Sequence, residues 1–376
     1  MIDPHVHLRD GSQCAKETLR HGMAVGSKAG ILAFFDMPNT DPPLTTRERV
    51  FARLEAGRQA ARTIQAETSK RIFYGVYGGL TSDPKQIGEM VEVYQEAEGA
   101  VIGFKLFAGH STGGMGIVTD DQQRLVYQTL ASHGYRGVLA VHCEKEQLLQ
   151  PGLWDPTHPE SHCLARPAEA EIASIADQIH FAREVGFEGV LHICHISTRR
   201  SIELVVLTRA QGMRITCGAT AHHALLDAAS AGRQDNLLKM NPPLRCSDDR
   251  EAVFQGLLSG TIDWMESDHA PHTIEDKRQG ASGIPGFAGM LLLVQQLRTK
   301  GATEVHLANL CGARVREVYG LATPDALATP DVPDVFATPD TLVQGSCQVP
   351  SSEQIDTVLA ETRAAYAWDP FCALKV

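Results

Sequence analysis

The run Asp3-Pro4-His5-Val6-His7-Leu8-Arg9 sets two imidazoles two residues apart and an arginine two further on. Side chains on an extended strand alternate between its faces, so His5, His7 and Arg9 are expected to point the same way. Two neutral imidazoles side by side can chelate a borderline metal such as zinc, and the guanidinium beside them offers a planar fork for a carboxylate. The pattern predicts a metal-dependent enzyme with an anionic substrate. The plainer alternative is a pair of histidines satisfied at a strand end.

Other groups capable of chemistry close further apolar runs: Asp36-Met37-Pro38-Asn39, His142-Cys143-Glu144, His192-Ile193-Cys194-His195 and Ser267-Asp268-His269-Ala270-Pro271-His272. Lys105 stands inside a run, between Phe104 and Leu106. Desolvating its ammonium in a buried strand is costly unless the charge is paired or removed. One solution is structural: the lysine reaches the rim or pairs with a carboxylate. The other is chemical: the amine is converted into an oxygen ligand.

The elements that must position these groups alternate. Strand-length apolar runs are expected at 2–7, 31–37, 72–77, 101–107, 138–143, 190–195, 215–219 and 262–265. Amphipathic or alanine-rich helical stretches fall at 17–29, 46–69, 86–96, 122–133, 167–184, 198–210, 250–258 and 287–298. Near-continuous apolar strands separated by helices imply parallel pairing with helical cover, and eight such units predict a closed (β/α)8 TIM barrel of the α/β class. An open doubly wound sheet ranks lower, because no Gly-x-Gly-x-x-Gly turn follows the first strand. In a barrel, functional side chains gather at the carboxyl ends of strands, where the groups above fall. His21, His133, His158 and His180 lie elsewhere, on helices and loops.

Composition excludes other classes. No stretch approaches the ~18 to 20 uninterrupted apolar residues of a membrane span, and no charged-then-apolar leader opens the sequence, so a cytoplasmic protein without a membrane partner is expected. A formal charge of −11 argues against nucleic-acid or anionic-membrane partners while leaving room for a local basic pocket. Nine cysteines without repeated spacing form no disulfide framework, and Cys143 and Cys194 are read as packed core thiols.

These residues resemble the binuclear amidohydrolases and, within them, the dihydroorotase family. The resemblance is carried by His5-Val6-His7-Leu8-Arg9-Asp10-Gly11, Met37-Pro38-Asn39-Thr40-Asp41-Pro42-Pro43, Asn241-Pro242-Pro243-Leu244-Arg245 and Asp268-His269-Ala270-Pro271-His272. It implies two divalent metal ions, with His5, His7 and Asp268 holding one and His142 and His195 the other. It also implies a carbamate formed on Lys105 from carbon dioxide between the two ions. Nitrogen and carboxylate-type donors favour zinc. Asp268 is implied as general base and then general acid, and Arg9, Asn39 and His272 as a clamp for the carboxylate of a small cyclic substrate. Asn241 is implied as a rim contact to the ring. His192 is the rival of His195; alternation puts the two on opposite faces, and His195 matches the family phrase better. The pair His222-His223, expected on strand seven, receives no metal. The glycine-rich segment 109–116, with Thr112, is either a water-excluding lid that contacts substrate or a flexible surface loop.

The implied reaction interconverts dihydroorotate and N-carbamoyl-L-aspartate in pyrimidine biosynthesis. Alternatives are another cyclic amidase of the allantoinase or hydantoinase type, or a catalytically silent scaffold. Family members commonly carry a small β-sandwich around the chain termini. Here the metal pair arrives by residue 5, so a short first strand or a missing natural start is expected. Residues 323–346 repeat Ala-Thr-Pro-Asp, which reads as a linker. The expected organisation is a barrel over 1–320, then a C-terminal linker and terminal helix over 321–376, with the sandwich reduced or absent. The terminal helix, near 352–366, would pack on the barrel or on a second copy in a homo-oligomer.

Overall fold

Eight runs rich in β-branched and aromatic residues, apolar on both faces, form parallel strands. They are β1 (Ile2–Val6), β2 (Ala33–Asp36), β3 (Phe73–Gly79), β4 (Val101–Ala108), β5 (Val138–Cys143), β6 (Val190–Ile193), β7 (Ile215–Ala219) and β8 (Trp264–Met265). This computed structural model describes residues 1–111, 114–232, 234–321 and 348–374. Each strand pairs with the next in sequence, and all pairs are parallel. The sheet closes where Val6 bridges His269 and the His7 amide donates to the His269 carbonyl at 2.7 Å. The result is the expected (β/α)8 barrel.

Alternation along each strand divides the core in two. Phe35 points inward and meets Tyr319 at 5.2 Å between ring centres, while Phe34 points outward onto Phe287 at 6.1 Å. The inner cluster, with Ile2, Tyr77, Ile102 and Trp264, is plugged from the amino-terminal end of the strands by Val315, Tyr319 and Leu321. The Tyr77 hydroxyl reaches that of Tyr319 and donates to the Pro4 carbonyl at 3.0 Å. The opposite end of the barrel is left for polar side chains.

The covering helices are α1 (Leu19–Lys28), α2 (Arg47–Thr68), α3 (Pro84–Glu96), α4 (Asp120–Ser132), α5 (Ala168–Glu184), α6 (Arg199–Ala210), α7 (Ser247–Ser259) and α8 (Phe287–Thr299). Their starts follow local chemistry. Thr18, Thr46, Thr119 and Thr198 each accept a backbone N–H in the first turn, and Asp83 does so ahead of Pro84. Helix α7 stops at Gly260, whose φ of 77° suits a residue without Cβ.

One expectation is corrected. His222 and His223 are not on a strand but in a short helix, Ala221–Leu225, because Thr220 caps it by accepting from the His223 amide. The terminal helix is present as α9 (Ser352–Ala364), with Ile355 and Leu359 in the outer core of the barrel. The Ala-Thr-Pro-Asp stretch lies outside the described residues. Among the described residues, no helix is long and apolar enough to cross a membrane.

Candidate metal centre and active site

The carboxyl ends of β1, β4, β5, β6 and β8 deliver side chains to one cavity. It is lined by His5, His7, Arg9, Asn39, Lys105, Phe107, Ser111, His142, His195, Asn241, Asp268, Ala270, Ser282 and Gly283. Two of these residues leave regular strand geometry to get there. His195 and Asp268 follow β6 and β8 with φ of 37° and 47°, a conformation that costs a non-glycine residue of order 1 kcal/mol or more. The turn at His195 separates it from His192, as alternation suggested. His195 faces His142, whereas His192 points into the barrel interior, with Thr216 and Glu266 as partners and the Trp264 ring 4.5 Å away.

The donors converge in two sets. In the first, His7 Nε2 lies 2.9 Å and His5 Nε2 3.4 Å from Asp268 Oδ1. His7 Nδ1 is 2.7 Å from Asn39 Oδ1, an acceptor, so the ring proton sits on Nδ1 and Nε2 turns a bare lone pair toward the carboxylate. A lone pair facing an anion at that distance calls for a cation between them. In the second set, His142 Nδ1 and His195 Nε2 are 3.2 Å apart. Two ligands held at the ~2.0–2.1 Å of zinc–nitrogen bonds around a tetrahedral ion would be separated by about 3.3 Å. His142 Nε2 faces Glu144 Oε2 at 2.8 Å, and Glu144 is in turn paired with Arg166, which fixes the ring with Nδ1 toward the cavity.

Against burial, Cys194 and Glu266 hold His5 up at about 9, while at two other donors the electrostatics favour ligation. Burial lowers His7 to about 4, and burial together with the nearby charges of His142 and Lys105 drives His195 well below its usual range. Both rings are therefore neutral near pH 7, the form that binds metal. Burial pushes the Asp268 carboxyl up, but the neighbouring histidines outweigh it and hold it well below the usual carboxylate range, so it stays ionised.

Lys105 is fully buried, so it does not reach the rim, and no carboxylate answers it among the described residues. Its Nζ lies 3.0 Å from Cys194 Sγ and 5.1 Å from the centre of the Phe107 ring. Despite burial, the charges of Lys105 and His5 draw the Cys194 thiol down to about 5. Cys194 is thus the lysine's neighbour as well as a core thiol. Its position next to His195 was legible; its pairing across the barrel was not.

Arg9 is 4% exposed and its Nε has no hydrogen-bond partner. Asn39 touches His7 and lines the cavity. Asn241 Oδ1 accepts from His162 Nε2 at 2.9 Å and from the Ser282 hydroxyl at 3.3 Å. His272 stands behind Gly283 and donates from Nε2 to the Ser282 carbonyl at 3.0 Å, leaving Nδ1 buried without a partner. Thr112 lies outside the described residues, and Ser111 represents that loop in the cavity wall. Sequence reasoning gave no role to Glu144, Arg166, Ser282 or Glu266. For the two glutamates the available signal was the one used for Lys105, a charged residue at an apolar strand.

No family model matches the chain. Among curated proteins it is 32% identical over 344 residues to a dihydroorotase of Pediococcus pentosaceus, covering 89% of this chain and 76% of that protein. A dihydroorotase of Lactiplantibacillus plantarum is 32% identical over 335 residues, with 87% and 73% covered. One of Brevibacillus brevis is 33% identical over 333 residues, with 85% and 73% covered. Among solved structures, an L-hydantoinase of Arthrobacter aurescens aligns with a TM-score of 0.72 at 22% identity, over 85% of this chain and 70% of its own. A dihydroorotase of Saccharomyces cerevisiae in complex with 5-fluoroorotic acid aligns with a TM-score of 0.66 at 18% identity, over 85% and 84%. At those identities the structural likeness speaks to the fold alone.

Proposed function

The chain belongs to the dihydroorotase family of metal-dependent hydrolases that open cyclic amides in pyrimidine biosynthesis, and on that footing we propose how its own residues perform the reaction. His5, His7 and Asp268 hold one divalent ion, and His142 and His195 a second. The donor set suits zinc. Addition of the Lys105 amine to carbon dioxide, with loss of a proton, would give a carbamate that could serve as an oxygen ligand beside the two histidine sets. When bound, the ions lower the pKa of a water and polarise the scissile carbonyl. Asp268, ionised and within reach of both first-set histidines, accepts the proton of the attacking water and returns it to the ring nitrogen that leaves. The reverse, cyclisation of N-carbamoyl-L-aspartate, uses the same groups.

The buried, unpartnered Nε of Arg9 carries the choice of substrate. A buried guanidinium nitrogen without a hydrogen-bond partner favours an anion, and the planar fork of Arg9 fits a carboxylate. Dihydroorotate has one; hydantoin and allantoin do not. Asn39 and Asn241 flank the same space, and His272 supports the wall behind it. A formal charge of −11 argues against a nucleic-acid partner, and the eight described cysteines, all free, fit a cytoplasmic enzyme.

Purified protein loaded with zinc is assayed spectrophotometrically with dihydroorotate beside hydantoin and allantoin. Turnover of dihydroorotate is expected. Arg9→Ala is expected to lose about 100-fold in kcat/KM on dihydroorotate, the cost of truncating one partner of a buried charge pair. Unchanged turnover by Arg9→Ala would refute the substrate assignment.

A further inference from the structure

Glu266 is a fully buried carboxylate two residues before Asp268, and nothing in the reaction just described uses it. It sits at the hub of three strands. Its Oε1 accepts the His195 backbone N–H at 2.5 Å and lies 3.4 Å from His5 Nδ1. Its Oε2 accepts from Trp264 Nε1 at 3.1 Å and meets His192 Nε2 at 3.2 Å. The neighbouring strand makes room for it: a Cβ on Gly218 would come 2.2 Å from Oε2. No lysine or arginine is paired with it among the described residues, so its charge is answered by imidazoles and amides, an arrangement costly enough to need a reason.

His5 supplies that reason. Its Nε2 is turned to Asp268, while Nδ1 is buried and lacks a properly aligned hydrogen-bond partner, with the Glu266 carboxylate 3.4 Å away and the Cys194 thiol in the same cluster. A histidine that ligates metal through one nitrogen must carry its proton on the other, and an acceptor there fixes the tautomer, orients the ring and raises its basicity. The same carboxylate holds the amide of His195 at the left-handed turn that swings this ring toward His142.

We propose that Glu266 is a positioning residue of the metal centre, which fixes His5 from β1 and His195 from the end of β6 at once. Each of the two donor sets is thereby tied to one carboxylate that directly follows β8. The inference rests on the reading of the cavity as a metal centre. Glu266 acts through the ligands and touches neither substrate nor the reacting water.

The test is metal retention. Wild-type protein, Glu266→Gln and Glu266→Asp are loaded with zinc, metal content is measured, and release to a colorimetric chelator is followed in time. Glu266→Gln keeps the volume and removes the charge, and it is expected to release metal 10- to 100-fold faster, the usual effect of losing such an outer partner. With cobalt in place of zinc, its visible absorption should also shift, a change that mere loss of folded protein does not produce. Glu266→Asp keeps the charge but withdraws it by one methylene, and it is expected to fall between the two; it carries the test if the glutamine variant does not fold. Release within twofold of wild type in the folded variants overturns the proposal. Wild-type protein that binds no metal overturns the metal-centre reading itself, and the two failures are distinct.

Discussion

A charged side chain sealed from water needs neighbours that answer it, and the residues of greatest interest here are those whose answer is incomplete in the protein alone. Among the described residues, Lys105 has a thiol and an aromatic face beside it and no carboxylate; His7 turns a lone pair on a carboxylate; Arg9 has an unsatisfied Nε. On the proposed reading, metal, carbamate and substrate carboxylate would supply what each lacks. Asp268→Asn removes the proton acceptor and keeps the shape, so kcat is expected to fall by about 10²- to 10⁴-fold with a smaller change in KM, read from steady-state kinetics. At this scale the histidines and Lys105 were legible because an imidazole or an amine at a strand end violates the apolar pattern around it. Glu266 violates the same pattern, but its partners come from three strands and only the closed barrel brings them together. An interval of three residues set His192 and His195 on opposite faces, and the strand-end position of His195 and its match to the family phrase ranked them.

The segment after β8 carries Asp268, His269 and His272, and it is held from outside by the C-terminal residues. The Tyr366 hydroxyl donates to Glu17 Oε1 at 2.8 Å, and Glu17 lies 3.2 Å from His269 Nε2, whose ring stacks on Phe287 at 3.8 Å. Trp368 Nε1 reaches the His272 carbonyl at 3.4 Å. Tyr366→Phe removes one buried hydrogen bond from this chain of contacts and is expected to cost about 1 kcal/mol of stability, measured by urea unfolding. Lys277, fully buried, donates to the carbonyls of Lys239, Ala281 and Gly283 at 2.8, 2.8 and 2.9 Å, and so shapes the wall that Ser282 and Gly283 give to the cavity. Lys277→Met is expected to raise KM several-fold while changing kcat less, because it loosens a substrate wall and leaves the metal ligands in place. The helices were readable from their amphipathic or alanine-rich stretches, and the structure adds the threonine caps that start four of them. The docking of the C-terminal residues was not readable in detail, since a tyrosine just past a terminal helix carries no mark of the glutamate it will meet. His222 and His223 were misplaced because an apolar run continues past β7 and only the Thr220 cap divides strand from helix.

Taken whole, the barrel divides its labour: apolar side chains and Tyr319 fill one end, and the polar groups that water would otherwise solvate fill the other. That concentration of buried imidazoles has a consequence for stability. Burial and the nearby charges of Lys239 and Arg166 lower His162 to about 4, and burial and the charge of Arg9 lower His272 to about 3. Both are depressed below the ordinary 6.5, so the unfolded chain takes up protons before the native one does. Their contribution is complete above that value and is lost as pH falls toward 4. With chelator present to remove metal effects, the melting temperature is expected to fall between about pH 7 and about pH 5, and His162→Gln should make that fall shallower. The barrel itself was legible because eight apolar runs and eight helical stretches alternate without a break, and length and composition allowed one core. The position of one strand's donors relative to another's was not, because register and closure are properties of the sheet and not of any single segment.

The central claim is that donors from five strands surround two metal ions bridged through Lys105. Anomalous diffraction from crystals grown with zinc tests it most directly. Two peaks are expected, one among His5, His7 and Asp268 and one between His142 and His195, with branched density extending from Lys105 Nζ to both. Peaks elsewhere, or a bare Lys105 amine still resting against Cys194 in zinc-loaded crystals, would contradict it.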